Sequence, residues 1–160
     1  FQRRTRNMIA FDLSLYRYNN IIRSRAKGVE ALIELRTSDR LTLSSNYTYV
    51  DSEKREDGAL DYVRHLRRPV HSLNIAIDWR ALDRLKLGTD LRLASDSLDG
   101  FGGSVRMDGY VLLGLRAAYE ASDAIELYGR VENAGDTYYQ TVAGYNAYGR
   151  NAHVGLRAKF

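Results

Sequence analysis

Eight stretches of this chain alternate apolar and polar residues with a period of two, and no other feature constrains its fold as tightly. In "MIAFDLSLY", Ile9, Phe11, Leu13 and Leu15 share one face while Asp12 and Ser14 share the other. "GVEALIEL" repeats the pattern, with Val29, Ala31, Ile33 and Leu35 opposed by Glu30 and Glu34. "LTLSSNYTYV", "HSLNIAIDW", "LKLGTDLRLA", "YVLLGLRAAY", "IELYGRVEN" and "NAHVGLRAKF" read the same way. A helix needs a period of 3.6, and the β-branched and aromatic content suits a pleated surface instead. The links alternate too. Short ones, "RTSDR", "RALDR" and "EASDA", each carry an aspartate expected to cap a local amide. Long ones lie around "RYNNIIRSRAK", "DSEKREDGALDYVRHLRRP", "SDSLDGFGGSVRMD" and "NAGDTYYQTVAGYNAYG". Short, long, short, long implies an up-and-down antiparallel meander with tight turns at one end and large loops at the other.

The strand ends decide what the apolar face meets. Continued to the short-turn end, the apolar phase reaches Trp79 after Leu73, Ile75 and Ile77; Tyr119 after Val111, Leu113 and Leu115; and Phe160 after Val154 and Leu156. Three aromatics at one level predict a membrane-interface girdle, since a soluble core places its rings nearer the middle. The other face collects Glu30, Glu34, Asn74, Asp78, Lys86, Asp90, Arg92, Arg116, Glu126, Arg130, Glu132, Arg157 and Lys159, which suit a watery lumen and not a dry core. The expected fold is therefore all-β, an antiparallel up-and-down transmembrane β-barrel. No run approaches the roughly 20 apolar residues of a spanning helix, and no signal peptide is legible at the start. With one proline, 12 tyrosines and 44% apolar residues the chain is expected to fold. It has no cysteine, hence no disulfide or thiolate site, and its net charge of +4 is too mild to call for nucleic acid.

The segment "LYGRVENAGDTYYQTVAGYNAYGRNAHVGLRAKF" resembles the final two strands of a TonB-dependent outer-membrane receptor, of the cobalamin- and siderophore-receptor branch. The pattern there is Arg-Val-x-Asn-Leu-Phe-Asp-x-x-Tyr, then Gly-Tyr, Gly-Arg and a strand ending in an aromatic. Arg130, Val131, Asn133, Asp136 and Tyr139 match, as do Gly144, Tyr145, Gly149, Arg150 and Phe160, whereas Ala134 and Gly135 stand in place of Leu-Phe. "KGVEALIEL", "NYTYVDSE", "LRRPVHSLNIAIDW" and "DGYVLLGLRAAYE" follow the family in order.

The resemblance implies that residues 1–160 are a carboxy-terminal segment, about eight strands, of a barrel of about 22, with the plug domain absent. It also implies a Gram-negative outer-membrane location and uptake of a ferric siderophore or cobalamin. Its expected partners are TonB through the missing plug segment, the barrel-assembly machinery reading the end at Phe160, and outer-membrane lipid and lipopolysaccharide. Two alternatives stay open: a complete eight-stranded outer-membrane barrel with a structural or adhesion role, and a soluble ligand-binding barrel with its apolar side inward.

No catalytic, metal or cofactor site is expected. Gly-x-Ser-x-Gly, His-Glu-x-x-His and phosphate-loop patterns are missing, and "DGFGG" with Gly100, Gly102 and Gly103 lacks the spacing and helix of a dinucleotide fingerprint. Asp51, Glu53, Glu56 and Asp57 offer oxygen ligands for calcium without an EF-hand pattern. Arg130, Glu132 and Asp136 read as a strand-end charge network. Arg64, His65, Arg67 and Arg68, with Arg23, Arg25 and Lys27, fall at the large-loop end, where charge can steer an anionic chelate or lipid phosphate.

Overall fold

The computed structural model describes residues 1–12, 16–56 and 59–159, the side chains of 10, 12, 19–22 and 56 excepted. Leu13, Ser14, Leu15, Asp57 and Phe160 lie outside the described residues, as does the side chain of Glu56. The strands, in chain order, are β1 (Gln2–Asp12), β2 (Arg17–Ser38), β3 (Leu41–Glu56), β4 (Val63–Arg64), β5 (His71–Leu82), β6 (Leu85–Ala94), β7 (Ser97–Asp99), β8 (Val105–Met107), β9 (Tyr110–Glu120), β10 (Ile125–Glu132), β11 (Gln140–Val142), β12 (Tyr145–Asn146) and β13 (Asn151–Ala158). Eight long strands form one antiparallel sheet in the order β1-β2-β3-β5-β6-β9-β10-β13, and β4 adds to β3. Each long strand pairs with its neighbours in sequence. The short pairs β7-β8 and β11-β12 belong to the large loops.

The register carries the apolar phase across six of the long strands, from β3 to β13. One row runs Leu43, Ile77, Thr89, Leu115, Val131, Ala152, and the next toward the tight turns runs Leu41, Trp79, Leu87, Ala117, Gly129, Val154. Because directly opposed residues share a face, a single apolar surface results. Nothing among the described residues covers it: Val154 is 90% exposed and Leu156 59%, and only Ala94 and Met107 of these residues are buried apolar side chains. A soluble barrel with a dry core would bury this face, so the sheet does not have that architecture. Trp79 and Tyr119 sit on it at the tight-turn end, opposite Leu87 and Leu85 of β6. At the loop end Tyr47 and Tyr49 pack beside His71, the Tyr47 hydroxyl lying 2.8 Å from His71 Nδ1.

Two expectations need correction. "RYNNIIRSRAK" is not a long link but strand: β2 runs unbroken for 22 residues, about twice the span of a bilayer, and β1 and β3 accompany it. Beyond the apolar band the ladder hydrogen bonds continue, and charged pairs replace the apolar alternation. The turn aspartates do not cap local amides either. Serines do, with Arg40 N donating to Ser38 Oγ and Ala124 N to Ser122 Oγ. Asp83 instead accepts from Arg40 at 2.7 Å and Asp123 from Arg84 at 3.4 Å, so each hairpin tip is tied to the next.

Candidate functional site

Two regions carry concentrated polar chemistry: the face opposite the apolar one, and the loop layer above it. On the charged face Arg116 of β9 bridges Asp90 of β6 at 3.1 Å and Asp78 of β5 at 2.7 Å. To do so it crosses β6 at Gly88, where a Cβ would collide with the guanidinium stem. Gly114 lies likewise beneath the Asp90 carboxylate and Gly155 beneath the Tyr128 ring. These glycines make room for side chains that lie flat across the strands. Lys86–Glu120 at 2.8 Å, Arg157–Glu126 at 2.5 Å and Arg130–Glu132 at 3.1 Å continue the pattern, and Asn74 donates to Asn46. The charged wall is thus paired mostly across strands, Arg130–Glu132 lying along β10 itself.

The loop layer converges on Asp99, which the sequence did not single out. It is 2% exposed at the end of β7. Its Oδ1 accepts from Gly100 N at 2.8 Å and from Arg67 Nε at 2.9 Å, and its Oδ2 accepts from Ala143 N at 2.7 Å. Three loops meet on one carboxylate. The Ala143 and Gly100 amides, followed by the Arg67 guanidinium, hold its carboxyl below the ordinary carboxylate range. Arg67 adds its own backbone bond to Leu98 O, at a positive φ of 56°.

Of the loop cations expected to face a ligand, the structure treats each differently. His65 is buried, its amide donating to Ser52 O and its Nε2 lying 2.9 Å from Ser24 Oγ. Burial, then the charges of Arg68 and Lys54, push its pKa below the ordinary value, so the ring is neutral at neutral pH. Arg64 lies 3.7 Å from Asp96, Arg67 is held by Asp99, and Arg68 is exposed. Asp51 and Glu53 pair with Lys27 and Arg25, and among the described residues no group of three His, Cys, Asp or Glu is placed to hold a metal.

The family-motif residues build the loop between β10 and β13. Asn133 is buried with a φ of 48°; its Oδ1 accepts from Thr137 N at 2.9 Å and its Nδ2 donates to Thr137 O and Tyr148 O. Asp136 does not join Arg130 and Glu132 but turns to Arg150, accepting from its amide at 2.8 Å with the guanidinium 3.9 Å away. A Cβ on Gly149 would come within 2.8 Å of Asp136 Oδ1, so a side chain there would push the carboxylate aside from the Arg150 amide. Gly144, at φ 82°, turns β11 into β12, and Tyr139 packs on Tyr110 with ring centroids 4.6 Å apart. Val131 belongs to the apolar face. Tyr138, Tyr145 and Tyr148 are left exposed at the surface of this loop.

An uncovered apolar face, a paired charged face, tight turns at one end and tied loops at the other define a segment of transmembrane β-barrel wall. The chain belongs to the TonB-dependent receptors: residues 1–134 match the family described as TonB dependent receptor-like, beta-barrel. Among solved structures it resembles the siderophore receptor PiuA from Acinetobacter baumannii, with a TM-score of 0.82 at 20% identity over 99% of this chain and 25% of that one. The ferric-catecholate import receptor Fiu from K12 E. coli matches with a TM-score of 0.80 at 17% identity, over 99% of this chain and 24% of that one. The ferric yersiniabactin uptake receptor FyuA from Yersinia pestis gives 0.79 and 18%, over 99% and 26%. The chain therefore spans about a quarter of the length of these structures. Its sheet is an unclosed part of the larger barrel that the alternation and the motif led us to expect, and its family is one of receptors.

Proposed function

We propose that this chain is wall and loops of an outer-membrane transporter that takes up a ferric siderophore. What carries the reading is membership of the TonB-dependent receptor barrel family together with the likeness to three receptors whose names specify siderophore or ferric-chelate uptake. In this reading the loops tied at Asp99 present Arg68, Tyr138, Tyr145 and Tyr148 to an anionic, oxygen-rich chelate, for which guanidinium and phenol groups supply charge and hydrogen bonds. A plug domain outside this chain closes the lumen, and TonB acting on that plug drives release. The barrel-assembly machinery inserts the chain, with Trp79 and Tyr119 at the periplasmic interface and outer-membrane lipid on the apolar face. Cobalamin is the competing cargo.

Uptake of radiolabelled iron chelates and of labelled cobalamin, in cells with and without the full receptor, tests this. Iron accumulation that requires both the receptor and TonB is expected. Cobalamin uptake that depends on the receptor, with iron uptake unchanged by its deletion, would overturn it.

A further inference from the structure

The segment between β3 and β5 folds back on the extended part of the wall. β4 lengthens the ladder, with Val63 opposite Lys54 and Arg64 opposite Glu53. Next along, His65 N donates to Ser52 O at 3.0 Å, and the pairing resumes where Val50 N donates to Val70 O at 2.9 Å. Residues 66–69 bulge out between these two bonds and carry Arg67 and Arg68. His65 pins one end of the bulge. Arg67, bonded to Asp99 and to Leu98 O, ties its middle to the neighbouring loop.

The His65 ring is held on the side of the sheet away from the apolar face. Ser24 and Lys54 are directly opposed, as are Ala26 and Ser52, and all four lie in the phase opposite to Val29. His65 is buried there, its Nε2 lying 2.9 Å from Ser24 Oγ. A neutral imidazole can accept from that hydroxyl or donate to it, whereas a charged one can only donate. The larger change on protonation is electrostatic. Among the described residues the charges that bear on the ring are Arg68 of its own segment and Lys54 of β3, both positive. β2 offers the Ser24 hydroxyl, and Thr5 of β1, opposite Ser24, is uncharged. The described acids of β3 and β7 are engaged elsewhere: Asp51 with Lys27, Glu53 with Arg25, Asp99 with Arg67. Asp96 pairs with Arg64 and Arg106, and Asp61, four residues before the ring, is exposed. A proton on His65 therefore makes a buried cation beside two others.

We propose that protonation of His65 unlatches residues 63–66 from β2 and β3, so that the segment carrying Arg68 opens as an acid-responsive flap. The inference does not depend on the identity of the cargo. Burial and the two cations favour the neutral ring while the segment is latched, and a released ring titrates near the ordinary histidine value of about 6.5. The released state thus takes the proton first. The latch is complete above that value and weakens as the pH falls below it, by up to about tenfold in the opening equilibrium for each pH unit. Asp99, anionic to lower pH than an ordinary carboxylate, keeps its bonds to Arg67 and Ala143 through this range. Acid frees the β4 side of the loop layer and leaves the Asp99 side in place.

Hydrogen exchange read by mass spectrometry tests this on the full receptor in nanodiscs, from about pH 8 to about pH 5, corrected for the intrinsic pH dependence of amide exchange. Protection over residues 63–66 is expected to fall below about pH 6.5, by up to about tenfold for each unit, while Gly100 and Ala143 stay protected. His65→Gln, which can reach Ser24 but does not titrate, should flatten the profile. Arg68→Gln removes one of the two repelling charges and should shrink the total fall.

A fall of less than about twofold in the parent would overturn the proposal, as would the parent's full profile persisting in H65Q. Loss of protection at Gly100 and Ala143 over the same range would also overturn it, since the whole layer would then be opening. If H65Q is unprotected at every pH, R68Q decides: a fall as large as the parent's overturns the proposal, and a smaller one supports it.

Discussion

Replacing Leu91 by arginine probes the assignment of faces most directly. Leu91 stands in a row with Ile75 and Leu113, and six residues separate it from Leu85, which pairs with Tyr119 at the tight-turn rim. At about 3.3 Å per residue and a tilt of about 40°, that places Leu91 about 15 Å above the rim, close to the middle of an apolar band about 25 Å tall. An arginine facing lipid at that depth costs about 2–4 kcal/mol, and near the interface about 0–1 kcal/mol. Leu91→Arg should therefore lower the folding equilibrium constant of the full receptor in vesicles by a factor of about 30 to 1,000, and Leu85→Arg by less than about tenfold. Urea titration, with the folded fraction read from heat-modifiable gel mobility, measures both. Equal costs at the two positions would refute the depth argument. A negligible cost at Leu91 would mean that this face meets water.

Two further outcomes concern the loops. Asp99→Asn should speed hydrogen exchange at the Ala143 and Gly100 amides, since the anionic acceptor that ties the loops is lost. In the parent that tie depends on a carboxyl held below its ordinary pKa. The stabilisation is therefore complete at neutral pH and lost only as the pH falls through the ordinary carboxylate range and below it, which exchange measured against pH will show. Asn133→Ala should destabilise the segment between β10 and β13 by about 2–4 kcal/mol, from unpaired Thr137 groups and from alanine's poorer tolerance than asparagine's of a positive φ. Asn133→Gly removes the second cost only and should lose less, with limited proteolysis between residues 133 and 150 as the readout.

The long strands were legible because burial against lipid imposes period two on one face, and Leu73, Ile75 and Ile77 or Val111, Leu113 and Leu115 record it without interruption. Arg17–Lys27 was misread for the same reason. That half of β2 lies beyond the apolar band, and strand there is maintained by backbone ladders and by pairs such as Arg25–Glu53, which leave no hydrophobic period. The turn aspartates were misassigned because their partners, Arg40 for Asp83 and Arg84 for Asp123, lie on the adjacent hairpin about 40 residues away in sequence. Asp99 was missed for a related cause. Two of its partners are 32 and 44 residues distant, and only the following glycine hinted at a built turn. Asn133 was found because its role is local: its side chain bonds the loop it opens, and a short motif can encode that.

The outer edge of β13 bears on how such a sheet reaches a bilayer. An antiparallel strand of eight residues turns about half of its amide and carbonyl groups to each side, so the free side of β13 presents about eight backbone dipoles to its surroundings. In hydrocarbon each unmet group costs several kcal/mol, a sum larger than the whole stability of an ordinary domain. Strand pairing and membrane entry must therefore advance together. A sheet with such a seam crosses into lipid only as fast as another strand zips onto it, which makes β13 a site at which the rate of insertion is set.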